Sequence, residues 1–177
     1  MLKVAGGKYR SRLLEVPPLV TVPTKNMVRE ALANALGDKI RGAVVLDMFA
    51  GSGALGIEML SRGAKYAHFV DSSSDACEII RKNLFSLKED DAHVWNMPYE
   101  KAILSLPSQV DIALMDPPYK DIDFYQKGVA LLLDKKVLKE DGVIVLEYEK
   151  EINIDETPFR EVRNYRYGRN KIKILWR

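Results

Sequence analysis

A parallel sheet covered by helices, closed by an antiparallel hairpin, is the architecture that the order of apolar segments in this 177-residue chain calls for. Three observations carry that reading. From residue 43 to residue 176, apolar runs of strand length alternate with segments whose apolar residues recur at helical spacing, the pattern of an α/β domain. The first run breaks directly into Gly51, Gly53 and Gly56, a glycine loop between a strand and a helix. The tail holds two extended segments joined through Tyr167-Gly168-Arg169-Asn170, the spacing of a hairpin.

Taken in order, Pro17, Pro18 and Pro23 keep the early chain extended, and Thr24 opens a helix to Leu36 with Val28, Leu32, Ala35 and Leu36 on one side. Ala43 to Met48 is apolar apart from Asp47 and reads as a buried strand. Ala54 to Arg62 follows as a helix, then Tyr66 to Val70 as a second strand ending at Asp71. Ser74 is the expected N-cap of a helix through Leu87, with Asp75 and Glu78 in a first turn that favours negative charge. Its apolar face is Ala76, Ile79, Ile80, Leu84 and Leu87. Strands are expected at Ala92 to Met97, Val110 to Met115 and Gly142 to Glu147, with helices at Tyr99 to Leu106 and Phe124 to Leu133 between them. The hairpin strands are Phe159 to Tyr165 and Lys171 to Trp176. No repeat or linker is visible, so the expected organisation is a basic extension with a helix over residues 1–41 and one domain over 42–177.

Composition narrows the function classes. The longest apolar stretches are strand-sized, far short of a membrane span, and the N-terminal basic residues have no apolar run behind them, so no secretory signal is expected. The lone Cys77 forms no internal disulfide and suits a reducing cytoplasm; it reads as a buried helix residue. A cytoplasmic monomer is expected. Net charge is only +2, but residues 1–41 carry +5, residues 160–177 carry +6 and the stretch between them −9. Basic ends around an acidic middle suggest a polyanionic partner at the ends. His68 and His93 lie in expected strands without a second ligand, and no cluster has metal-ligand spacing, so no metal is expected. Trp95 and Trp176 read as core residues, whereas Tyr9, set between cations, is a candidate RNA-facing aromatic.

Two motifs carry chemistry. Gly51, Gly53 and Gly56 form G-x-G-x-x-G between strand and helix, where missing Cβ atoms let a ligand approach the backbone and the helix N-terminus offers free N–H groups. Asp71, twenty residues after Gly51, is placed to take ribose hydroxyls. That pattern alone also fits a nicotinamide enzyme. Two details favour S-adenosylmethionine: Asp47 sits just upstream, placed for the methionine ammonium, and the second motif reads as a methyl-acceptor site. The expected cofactor residues here are Asp47, Phe49, Ala50, Gly51, Ser52, Gly53, Asp71 and Ser72.

The second motif, Asp116-Pro117-Pro118-Tyr119, ends an apolar strand and should lie at the carboxyl edge of the sheet. An exocyclic amine on a base is a poor nucleophile because its lone pair is delocalised into the ring. The Asp116 carboxylate and the Pro117 carbonyl can each accept one N–H bond and localise that pair, while the prolines hold both acceptors in place beforehand. Tyr119 can stack on the base, a contact worth about 1–3 kcal/mol. A paired base could not reach such a pocket, so the target is unpaired or flipped.

With both motifs placed, the chain resembles class I methyltransferases, and within them the RsmD-type 16S ribosomal RNA guanine-N2 methyltransferases. Ala5-Gly6-Gly7-Lys8-Tyr9-Arg10-Ser11-Arg12 resembles that family's basic start, Pro23-Thr24 through Val28-Arg29-Glu30-Ala31-Leu32 its helix before the first core strand, and Tyr167-Gly168 its C-terminal pair. Val22 departs from the usual Arg, and Ala33 from the usual aromatic. After the third strand, where the family commonly has an acidic residue at the cofactor's adenine amino group, this chain has Asn96-Met97. The resemblance implies Asn96 as the polar substitute, with Met97 beside it at the cofactor. The resemblance implies a Rossmann-like, seven-stranded, mostly parallel sheet with its last strand antiparallel. It implies methyl transfer from S-adenosylmethionine to the 2-amino group of a guanine in 16S rRNA, on the small ribosomal subunit or an assembly intermediate. It also implies that Asp116, Pro117, Pro118 and Tyr119 serve the base, and that Lys8, Arg10, Arg12 and Arg29 contact RNA phosphates. The rival readings are an adenine-N6 nucleic-acid methyltransferase, a glutamine-N5 methyltransferase of proteins, and a non-enzymatic RNA-binding ribosome assembly factor.

Overall fold

The computed structural model describes residues 1–17, 22–118 and 122–177. A two-residue ribbon, β1 (Leu2–Lys3) against β2 (Leu13–Leu14), opens the chain and leads to helix α1 (Val22–Leu36). The core then alternates β3 (Val44–Asp47), α2 (Ala54–Ser61), β4 (Tyr66–Asp71), α3 (Ser74–Leu87), β5 (Ala92–Asn96), α4 (Tyr99–Ser105), β6 (Val110–Met115), α5 (Asp123–Asp134) and β7 (Leu138–Tyr148). The hairpin β8 (Glu161–Tyr167) and β9 (Asn170–Trp176) ends it. Seven strands form one sheet in the order β5-β4-β3-β6-β7-β9-β8. The pairs from β5 to β7 are parallel; β9 runs antiparallel to both β7 and β8. This is the Rossmann-like class I methyltransferase sheet, with its last strand reversed.

Period-two alternation sorts the side chains onto two faces. Val45, Ile112, Leu114, Val143 and Val145 join the apolar cluster under α1, α2 and α3. Their neighbours Leu46, Ala113, Met115, Ile144 and Leu146 join the cluster under α4 and α5. Both faces being covered explains why these strands read as continuous apolar runs. Val4, Leu14, Val28, Leu32 and Leu36 belong to the first cluster, so the N-terminal ribbon and α1 share the core of the domain that follows.

Three local expectations are corrected. The N-cap of α3 is Ser73, whose hydroxyl accepts from the Ala76 N–H at 3.3 Å; Ser74 is already helical. Pro23 lies within the first turn of α1, where a missing N–H costs nothing, instead of holding an extended lead-in. β7 starts at Leu138, four residues early, because Val110 pairs Leu138 before a register shift carries Ile112 to Val143. The charges of Lys139, Glu140 and Asp141 hide that stretch in the sequence, although Lys139 Nζ is tied to Asp111 Oδ1 at 2.9 Å. Among the described residues no helix is long and apolar enough to cross a membrane.

Candidate active site

The sheet order reverses between β3 and β6, and the carboxyl ends of strands flanking such a point form a natural crevice. Here Asp47 ends β3, Asp71 ends β4, Asp116 follows β6 and Glu147 lies near the end of β7. All four line a single cavity of about 570 Å³. The glycine loop and the Asp-Pro-Pro turn therefore open side by side into one space.

The loop after β3 is fixed by its neighbours: Met48 N–H donates to the Leu114 carbonyl and Ala50 N–H to the Val70 carbonyl, each at 3.0 Å. Gly51 and Gly53 have φ of +54° and +78°, conformations that L side chains rarely adopt. A Cβ on Gly51 would meet nothing within 4 Å, so its backbone is open to an approaching ligand. Gly56 has a different purpose. A Cβ there would come within 2.4 Å of the Phe69 ring, so this glycine lets α2 lie close on β4.

Asp47 is 1% exposed, and its Oδ2 accepts from Gly56 N–H at 3.0 Å in the first turn of α2. The Asp71 carboxylate is oriented by two backbone donors, Gly51 N–H onto Oδ2 and Ser73 N–H onto Oδ1, both at 2.9 Å. Each oxygen keeps a further lone pair. Ala50, Gly51, Ser52, Phe49 and Ser72 all line the cavity, and so does Met97, whereas Gly53 shapes the turn from behind.

Asp116 is half-buried, Pro117 buried and Pro118 exposed, all on the cavity wall; Tyr119 lies outside the described residues. Two aromatic residues that the motifs did not reveal, Tyr99 and Phe124, join Phe49 at this end. The Phe49, Tyr99 and Phe124 ring centroids lie 5.3–5.8 Å apart. Burial, with Glu100 beside it, pushes the Tyr99 phenol up to about 12, so it stays a neutral donor. Tyr99 and Phe124 each sit at the start of a helix that follows a strand end. That topological position is the signal that could have found them.

The family model described as conserved hypothetical protein 95 matches residues 2–176. The chain belongs to this, the RsmD family. Ribosomal RNA small subunit methyltransferase D of Escherichia coli (strain K12) is 34% identical over 158 residues, covering 89% of this chain and 79% of that protein. The Bacillus subtilis (strain 168) protein YlbH, named as a candidate rRNA methyltransferase, is 35% identical over 162 residues, covering 89% of this chain and 87% of its own. The solved structure of yhhF from Escherichia coli superposes with a TM-score of 0.86 at 29% identity, over 99% of this chain and 97% of that one.

Two residues of this RsmD-family chain are placed differently from expectation. Arg29, expected on RNA phosphates, is 3% exposed: its Nη2 donates to the Lys3 carbonyl and to Asn26 Oδ1, both at 2.7 Å, and it faces the cavity rather than the outer surface. The α1 face that carries Val28 and Leu32 into the core carries Arg29 with it. Asn96, expected at the cofactor, is exposed and absent from the cavity wall; its Nδ2 donates to the Asp71 carbonyl at 3.2 Å. Lys8, Arg10 and Arg12 stay outside. Lys8 pairs with Glu89 at 2.7 Å and lies 4.7 Å over the half-buried Tyr9 ring, whose hydroxyl also donates to Glu89. Arg12 reaches the Ser86 carbonyl at 2.7 Å, and Arg10 is exposed.

Proposed function

We propose that the chain transfers a methyl group from S-adenosylmethionine to the 2-amino group of a guanine in 16S rRNA of the small ribosomal subunit. The observation that carries this is the shared cavity: the glycine loop with Asp47 and Asp71, and the Asp116-Pro117 turn, bound the same space. The residues fit the cofactor. Gly51, at positive φ, leaves its backbone open to a ligand, Asp71 is presented by two backbone N–H groups for ribose hydroxyls, and Asp47 suits an ammonium. When bound, the cofactor supplies an electrophilic methyl on a sulfonium. The protein's part is to bring the amine to it.

Asp116 and the Pro117 carbonyl accept the two N–H bonds of the amine, which localises its lone pair and orients it. The nitrogen becomes acidic as the new bond forms, so Asp116 need not be a strong base to receive the proton. Holding both reactants in line supplies about 7–11 kcal/mol of the barrier in favourable cases. Phe49, Tyr99 and Phe124 keep that end apolar, which strengthens the polar contacts made there. Membership of the RsmD family and the similarity to the Escherichia coli ribosomal RNA small subunit methyltransferase support an rRNA substrate; guanine-N2 follows from the motif resemblance. Lys8, Tyr9, Arg10 and Arg12 form the basic surface that meets the RNA outside the cavity.

The test is to incubate the protein and methyl-labelled cofactor with small subunits from a strain lacking this activity, then to digest the RNA and identify the labelled nucleoside. N2-methylguanosine in 16S rRNA is expected, and Asp116→Ala should lower the rate at least about a hundredfold while RNA binding persists. Label on adenine, on DNA alone, or unchanged rates in Asp116→Ala would overturn the reading.

A further inference from the structure

The cavity wall holds five carboxylates, on Asp47, Asp71, Glu100, Asp116 and Glu147, and among the described residues lining it Arg29 is the only cation. Arg29 is also incompletely used. Its Nη2 is bound to the Lys3 carbonyl and Asn26, yet Nε and Nη1 are buried without a hydrogen-bond partner. The nearest carboxylate, Glu58 Oε2, is 3.9 Å from Nε, too far for a hydrogen bond. Glu58 is already occupied by the N–H groups of Ala5 and Gly6 and by Arg62 Nε. A desolvated guanidinium with idle N–H groups is costly unless a ligand completes it.

We propose that Arg29 binds the α-carboxylate of the methionine half of S-adenosylmethionine, opposite Asp47, which takes the α-ammonium. This rests on the cofactor reading above. In a wall of carboxylates, the one anionic group of the cofactor is repelled everywhere except beside Arg29. Placement agrees. Asp47, at the end of β3, and Arg29, on α1, both line the cavity and both lie against α2, Asp47 through the Gly56 N–H and Arg29 beside Glu58. The two groups they bind sit on one carbon of the ligand. At 3% exposure, Arg29 is out of reach of an RNA backbone phosphate on the outer surface.

The test compares, by isothermal titration of the full chain without RNA, S-adenosylhomocysteine with its analogue lacking only the carboxylate. The wild type should prefer S-adenosylhomocysteine by roughly tenfold to a hundredfold. Arg29→Gln should bind both ligands alike, and Arg29→Lys should keep part of the preference. Because the measured quantity is a ratio within one variant, partial loss of folded protein affects both ligands equally. A wild type that binds both equally, or an Arg29→Gln protein that keeps the wild-type ratio, would overturn the assignment while leaving the methyltransferase reading intact. A wild type that binds neither ligand would overturn both.

Discussion

His68 shows how one residue can tie stability to pH without touching the chemistry. It is 3% exposed in β4, and its Nδ1 accepts a hydrogen bond from Trp95 Nε1 at 3.2 Å, a contact that needs the neutral ring. Burial, aided by the neighbouring His93, lowers its pKa to about 4 from the ordinary 6.5. The folded protein thus binds fewer protons than the unfolded chain between those values, and stability rises with pH there. The contribution is fully present above 6.5 and is lost as pH falls from 6.5 through about 4. Urea unfolding followed across this window should show a stability slope steeper by about one proton in the wild type than in His68→Gln. Equal slopes would refute the account. Cys77 is the inert counterpart: fully buried, its thiol is pushed up chiefly by burial and serves packing, as the sequence suggested.

At the scale of elements, the attachment of the N-terminal ribbon to α2 runs through one buried carboxylate. Glu58 is 0% exposed, and it accepts from Ala5 N–H, Gly6 N–H and Arg62 Nε at 2.8–2.9 Å. One turn on, Ser61 accepts from the Tyr9 N–H and donates to the Gly6 carbonyl. These bonds satisfy the backbone of a segment that has little secondary structure of its own. Removing one partner leaves the others buried and uncompensated, so Glu58→Ala should cost about 3–5 kcal/mol. The urea midpoint should drop with little change in the denaturant slope. A loss below about 1 kcal/mol would show that the ribbon is held by its apolar contacts alone. The same carboxylate stands behind Arg29, so this attachment also shapes the cavity wall.

For the whole molecule, charge is divided by place: carboxylates line the cavity, while the exposed cations Lys8, Arg10 and Arg12 lie on the N-terminal segment outside it. If that segment meets RNA, binding should weaken with salt, and Arg10→Ala should reduce the slope of log affinity against log salt by ~0.7 while leaving S-adenosylhomocysteine binding unchanged. An unaltered slope would remove Arg10 from the RNA footprint. The strands, the helices and both motifs were legible in the sequence because they depend on local rules: period-two and helical spacing, glycine where φ is positive, and carboxylates at strand ends. What local rules could not reach was decided by packing between distant segments. The early start of β7 depends on pairing with Val110, and the aromatic wall depends on three strand ends meeting. Arg29 is the sharpest case. On sequence it is one cation in a basic stretch of +5, free to face a polyanion. Folding turns its helix face inward, strips its water and sets it among carboxylates, and only that environment makes it a binder of a small anionic group.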